Sequence, residues 1–151
     1  MTNIKERLDE DIRNTMRARN RERLETLRFL KSQIQLVEKN NLKELDDDGV
    51  TDVVAKQAKD RRESIEMFGQ GGRDDLVAKE EAALAILQEY MPEQMDAKAI
   101  ETLARQVIAD VGATGASDRG KVMGRIMPQV RGKADGSQVN AVVSRLLESL
   151  G

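Results

Sequence analysis

Apolar residues recur at helical spacing along most of this sequence, and that spacing constrains the possible folds more than any other feature. Leu8, Ile12 and Met16 are each four residues apart, so they lie on one face of a helix. The pattern resumes after Asn20 and continues in later segments. Aromatic residues make up only 2% of the chain, and runs of the β-branched residues that favour strands are few. We therefore predict an all-α fold.

Interruptions of this pattern predict four helices in the first part of the chain. Two helices meet at Asn20, and the acidic segment 43–49 is expected to form a loop. Thr51 is placed to cap a third helix, which the glycines within residues 69–72 end. A fourth helix is expected to start after Asp74.

Pro92 marks the boundary between two predicted domains, residues 1–92 and residues 93–151. Proline disfavours helical geometry at the residue before it, and Asp96 is a suitable cap for the helix that follows. The second domain is expected to hold three helices, the last two at about residues 118–130 and 137–150.

The chain contains neither cysteine nor histidine, which removes thiol nucleophiles, thiolate or imidazole metal ligands and the usual general base near neutral pH. Glu80 and Glu81 are adjacent, so on a helix they point about 100° apart and cannot act on one substrate atom. We predict no catalytic residue and no cofactor.

Two motif-like segments lack a residue that their chemistry requires. Residues 115–122 approach a phosphate-binding loop, but Val122 stands where a hydroxyl should bind magnesium. Residues 44–55 approach a calcium loop, but Ala55 replaces the bidentate glutamate. We therefore predict no metal site.

The N-terminal segment has no apolar core of a signal peptide, and the longest apolar run is only residues 82–87. These features predict a cytosolic protein without a membrane partner. A net charge of -2 gives no overall attraction to nucleic acid, so such binding would need a local excess of positive charge.

Helix-breaking residues are concentrated in residues 120–136, where the flanking sequence is helical. Gly120 and Gly124 are one helical turn apart, and Pro128 lies one turn further on. One interpretation is close packing of another helix against the two glycines. The other is that bare backbone there, and at Gly132 and Gly136, lets a phosphate group approach amide groups.

The same region carries most of the local positive charge. Residues 117–133 hold five cations and one carboxylate, a net charge of +4. Cations of this kind position a nucleic acid without reading its sequence, and the scarcity of aromatic residues argues against stacking of single strands. The predicted RNA-binding residues are Arg119, Lys121, Arg125, Arg131 and Lys133.

Two further basic runs are secondary candidates for RNA contacts, with salt-bridged helix faces as the alternative. The first run comprises five arginines between residues 13 and 23, interrupted only by Glu22. The second comprises Lys56, Lys59, Arg61 and Arg62.

The segment GKVMGRIMPQVRGKADGSQVNAVV, with EYMPEQM upstream, resembles the YqeY family over essentially the whole chain. This resemblance implies four N-terminal helices and a C-terminal part similar to the tail domain of the B subunit of glutamyl/aspartyl-tRNA amidotransferase. In that enzyme the tail contacts tRNA, while other domains and subunits transfer the amide group. The motif residues that carry over are Gly120, Lys121, Gly124, Gly132, Lys133, Asp135 and Gly136.

These observations lead to one hypothesis and two alternatives. The leading hypothesis is a cytosolic, non-catalytic accessory protein of translation that binds tRNA or similar structured RNA. The first alternative, implied by the resemblance alone, is a component or regulator of a carbon-nitrogen ligase that uses glutamine as amide donor. The second is a protein-interaction adaptor with no role in RNA binding.

Overall fold

A computed structural model describes residues 3–150 and confirms the all-α prediction. These residues form seven α-helices, four followed by three, and no strand. The chain divides into two compact units, Met1–Met91 and Pro92–Gly151, one residue from the boundary expected at Pro92. The first unit contains α1 (Ile4–Arg17), α2 (Arg21–Asn41), α3 (Asp47–Gln70) and α4 (Asp74–Gln88); the second contains α5 (Ala97–Val111), α6 (Arg119–Val130) and α7 (Gly136–Glu148).

The first unit is built around side chains that follow the helical periodicity of the sequence. Asn20 caps α2 by accepting a hydrogen bond from the amide of Arg23, which explains why two helices meet there. The buried core joins all four helices: Leu8, Leu27, Leu30, Ile34, Val50, Val54, Leu87 and Tyr90.

The predicted cap of the third helix was wrong. α3 begins at Asp47 because the Asp46 carboxylate accepts a hydrogen bond of 2.8 Å from the amide of Gly49. Thr51 therefore lies inside the helix, where it is buried. Aspartate is at least as good an N-cap as threonine, so the earlier residue starts the helix and shortens the expected acidic loop.

Tyr90 connects the end of α4 to α1. Its ring is 3% exposed, and its hydroxyl donates a hydrogen bond to the carboxylate of Asp11. The guanidinium of Arg7 lies 4.5 Å from the ring centroid and donates to the carbonyl of Glu89 at 2.6 Å. Burial, and then the hydrogen bond to Asp11, raises the pKa of Tyr90, so the hydroxyl remains a donor at neutral pH.

The second unit is a three-helix arrangement with its own core. Asp96 caps α5 as expected, accepting a hydrogen bond of 2.8 Å from the amide of Ala99. Gly112 ends α5 with a φ of 67°, a left-handed conformation that favours glycine. The core is formed by residues of all three helices: Ile100, Ala104, Val107, Ile108, Val122, Ile126, Val130, Val139, Val143, Leu146 and Leu147.

No helix within residues 3–150 combines the length and the apolar character that a membrane span requires.

Candidate nucleic-acid interface

Helix α6 presents two opposite faces with different chemistry. Val122 and Ile126, one turn apart, have no exposed surface and pack into the core of the second unit. Gly120, Gly124 and Pro128 have the same one-turn spacing and are all exposed. Since they lie two residues from the buried positions, helical geometry places them on the side away from the core. A strip of exposed backbone therefore runs along this helix.

The two glycines of this strip do not pack against another helix of the described chain. A Cβ atom added at Gly120 or at Gly124 would meet nothing within 4 Å, apart from neighbours of its own helix. Glycine in a helix costs about 0.5–1 kcal/mol relative to alanine, and here no close contact within residues 3–150 compensates for it. This geometry favours the interpretation in which the glycines leave backbone open to a ligand.

Positive charges lie beside this strip. Lys121 and Arg125 each follow a glycine of the strip, and both are exposed. Arg119, in the first turn of α6, and Lys133, after its end, are exposed as well. None of these four forms a salt bridge with any other residue between positions 3 and 150. Their charges are therefore available to an anion.

A carboxylate lies close to the cations at the start of α6. Asp118 precedes α6, and its side chain accepts a hydrogen bond of 2.9 Å from the amide of Thr114. This bond, with a smaller contribution from Lys121, holds the pKa of the Asp118 carboxyl below its ordinary value. Asp118 is thus ionised at neutral pH and offsets part of the positive charge at the start of α6.

The loop after α6 is attached to the segment that follows Pro92. Gly132 adopts a φ of 75°, which only glycine adopts without strain. Its carbonyl accepts a hydrogen bond of 2.8 Å from the side-chain amide of Gln94, and the carbonyl of Lys133 accepts one of 2.9 Å from the amide of Met95. These two bonds fix the backbone that carries Arg131 and Lys133, both exposed.

The contribution of Gln94 was not anticipated from periodicity or charge. The one sequence signal for Gln94 was its place in the segment EYMPEQM, which carried part of the family resemblance. The composition of this segment did not indicate a contact with residues 131–133.

The start of α7 is capped by a carboxylate. The carboxylate of Asp135 already accepts a hydrogen bond of 3.1 Å from the amide of Ser137, so a negative group occupies the beginning of this helix. A phosphate there would meet like charge. A Cβ added at Gly136 would lie 3.4 Å from the terminal methyl group of Met127, at the short end of ordinary van der Waals contact, so this glycine is less open than Gly120 and Gly124. The available surface is therefore α6 and its following loop.

The basic run on α3 is partly neutralised, as the alternative interpretation proposed. Arg61 forms a salt bridge of 2.9 Å with Glu80, and Lys56 lies 3.6 Å from Asp60. In the described part of the chain, no three acidic side chains converge as a metal site would require.

Comparison with known proteins identifies the relatives of this chain. The model of the family described as Yqey-like protein matches residues 5–147. The protein named "Altered inheritance of mitochondria protein 41, mitochondrial" from Pyrenophora tritici-repentis is 33% identical over 87% of this chain and 74% of its own length. Proteins of the same name from Eremothecium gossypii and Kluyveromyces lactis are 36% and 33% identical over 65% and 64% of this chain. The chain spans about half the length of these last two relatives, 54% and 56%.

These names contradict the cytosolic location predicted from the sequence, because all three relatives are named as mitochondrial proteins. That prediction was drawn from the lack of a secretory signal and of a membrane span. Both features concern secretion and the bilayer, so neither distinguishes the cytosol from other aqueous compartments.

Proposed function

The chain belongs to the YqeY-like family, and we propose that it is a non-catalytic accessory protein that binds tRNA or similar structured RNA. The binding surface consists of the exposed backbone strip of α6 with its neighbouring cations and the loop that follows. The observation that carries this proposal is that Arg119, Lys121, Arg125 and Lys133 are exposed, form no salt bridge among the described residues and lie near two glycines that pack against no other helix there.

This surface suits the sugar-phosphate backbone of a folded RNA. Lys121 and Arg125 provide charge along one side of α6, and the missing side chains at Gly120 and Gly124 let the backbone of a ligand come close to the helix. The second unit has no aromatic residue, so it offers no platform on which single-stranded bases could stack. We therefore expect this surface to recognise the shape and the phosphate groups of a folded RNA.

The test compares two triple variants of the full chain that lose the same charge. One replaces Lys121, Arg125 and Lys133 by glutamine; its matched control replaces Lys98, Arg105 and Arg145, of which the two arginines bond to Glu101. Fluorescence anisotropy with labelled bulk tRNA measures affinity at about 50 and about 200 mM salt.

We expect the first variant to lose affinity by at least about tenfold and to show a flatter salt dependence, while the control binds like the wild type. Circular dichroism confirms that both variants remain helical. Equal affinity of all three proteins, or no binding by the wild type at the lower salt concentration, would refute the proposal.

The two alternatives predict different results. A component of a glutamine-dependent carbon-nitrogen ligase would co-purify with amidotransferase subunits, and its loss would reduce amide transfer. A protein adaptor would show weak tRNA binding that does not change with salt, because no phosphate contacts would release counterions.

A further inference from the structure

A second positively charged surface lies in the first unit, where α1 turns into α2. Residues 13–21 contain four arginines and no carboxylate. All four, Arg13, Arg17, Arg19 and Arg21, are exposed. None of them forms a salt bridge with another residue in the range 3–150, so the alternative interpretation of this run as a salt-bridged face fails for these positions.

The tertiary structure adds a fifth guanidinium that the sequence run does not contain. Arg28 lies on α2, and its Nη2 atom is 3.6 Å from the sulfur of Met16 on α1. This contact places its exposed side chain beside the arginines of the turn. We refer to Arg13, Arg17, Arg19, Arg21 and Arg28 as the hairpin patch.

Two other carboxylates of the first unit are bound to cations outside the patch. Glu89 forms a salt bridge of 2.7 Å with Arg23, the arginine of the run that is excluded from the patch. Asp9 forms one of 2.6 Å with Lys31. Three exposed carboxylates flank the patch without forming a salt bridge to it: Glu10, Glu22 and Glu25.

We propose that the hairpin patch is a second phosphate-binding surface, which contacts the backbone of structured RNA independently of α6. The inference rests on the proposed function and extends it to the first unit. Arginine suits this ligand because its planar guanidinium donates two parallel hydrogen bonds to a phosphate. A lipid surface fits less well, because Leu8 is 1% exposed and Ile12 packs against the same core, which leaves Met16, 49% exposed, as the one residue of the apolar face of α1 that could insert into a bilayer.

The first experiment replaces Arg13, Arg17 and Arg21 by glutamine in the full chain. The matched control replaces Lys39, Lys43 and Lys79, three exposed lysines elsewhere in the same unit, and so removes equal charge. Binding of labelled bulk tRNA is measured at about 50 and about 200 mM salt. We expect the arginine variant to bind about tenfold more weakly and its salt slope to fall by about 1 for each lost phosphate contact, with no change in the control.

A second pair of variants separates binding from folding. Arg19 and Leu42 each lie within two residues of a helix end and have left-handed φ values of 58° and 52°. Glycine is favoured at such a position, so Arg19→Gly and Leu42→Gly should both raise the melting temperature. Only Arg19→Gly removes a patch charge. We expect it to weaken tRNA binding although the protein becomes more stable.

The outcomes distinguish the two proposals. If the wild type does not bind tRNA, or binds only vesicles of phosphatidylcholine with phosphatidylglycerol, both proposals are refuted. If the α6 variant loses affinity while the hairpin variants bind like their controls, only the hairpin patch is refuted. If the hairpin variants lose affinity and the α6 variant does not, the patch is supported and the assignment to α6 fails.

Discussion

The hydroxyl of Tyr90 donates a hydrogen bond to the carboxylate of Asp11, and this bond joins the end of α4 to α1 across 79 positions of sequence. The tyrosine belongs to the EYMPEQM segment that carried part of the family resemblance. Its role within the first unit is therefore to hold two helices together, through a buried ring and one polar contact.

Replacing Tyr90 by phenylalanine removes this bond and keeps the buried ring. We expect a loss of about 1–2 kcal/mol in the free energy of unfolding, because a half-buried carboxylate loses its donor. Urea denaturation followed by circular dichroism measures it. A double-mutant cycle with Asp11→Ala, which removes the acceptor, isolates the pair, and a coupling energy near zero would contradict the assignment.

Acid should weaken the contact of α1 with the end of α2. The ammonium group of Lys5, 2.5 Å from Glu38, holds the pKa of that carboxyl below its ordinary value, and the amide of Leu45 adds to the effect. Because the folded-state pKa is lowered, the stabilisation is complete above the ordinary pKa of 4.5 and is lost as pH falls through the folded-state value. Melting temperatures should therefore fall less steeply with acidification in Glu38→Gln than in the wild type. Parallel curves would exclude this contribution.

An alanine in the exposed strip of α6 should increase stability but weaken RNA binding. Gly124→Ala should stabilise the second unit by about 0.5–1 kcal/mol, since alanine favours helix and the new methyl group meets nothing. The same methyl group should weaken tRNA binding if the RNA backbone approaches the helix there. Gly136→Ala serves as the contrast, because its Cβ would approach Met127. A loss of stability in Gly124→Ala would show that the strip is packed against something.

Replacing Leu42 by glycine should stabilise the first unit without changing its charge. Its side chain is 93% exposed, and its φ of 52° is a conformation that costs an L-residue about 1 kcal/mol or more. Leu42→Gly should therefore raise the free energy of unfolding by about 1 kcal/mol, and thermal denaturation measures the change. A stability unchanged or reduced would indicate that the leucine makes a contact in solution.

Local signals in the sequence were sufficient for the helices and for several of their ends. The spacing of Leu8 and Ile12, the cap at Asp96 and the glycine at Gly112 each act within a few residues, so they can be recognised without a structure. The prediction that Thr51 caps α3 was wrong because Asp46 is also a suitable cap. The local sequence alone did not decide which of these two residues precedes the first turn of the helix.

The two candidate surfaces were identified partly from the sequence and partly from the tertiary structure. The cations of residues 117–133 and the glycines between them are determined by the sequence, as is the all-α fold that their surroundings indicate. Only the tertiary structure decided that Gly120 and Gly124 face away from the core, that Gln94 holds the loop at Gly132, and that Arg28 joins the arginines of the first turn. The physical reason is range: helix propensity and capping act between neighbours in sequence, whereas exposure and charge pairing depend on residues that the chain brings together only after it has folded.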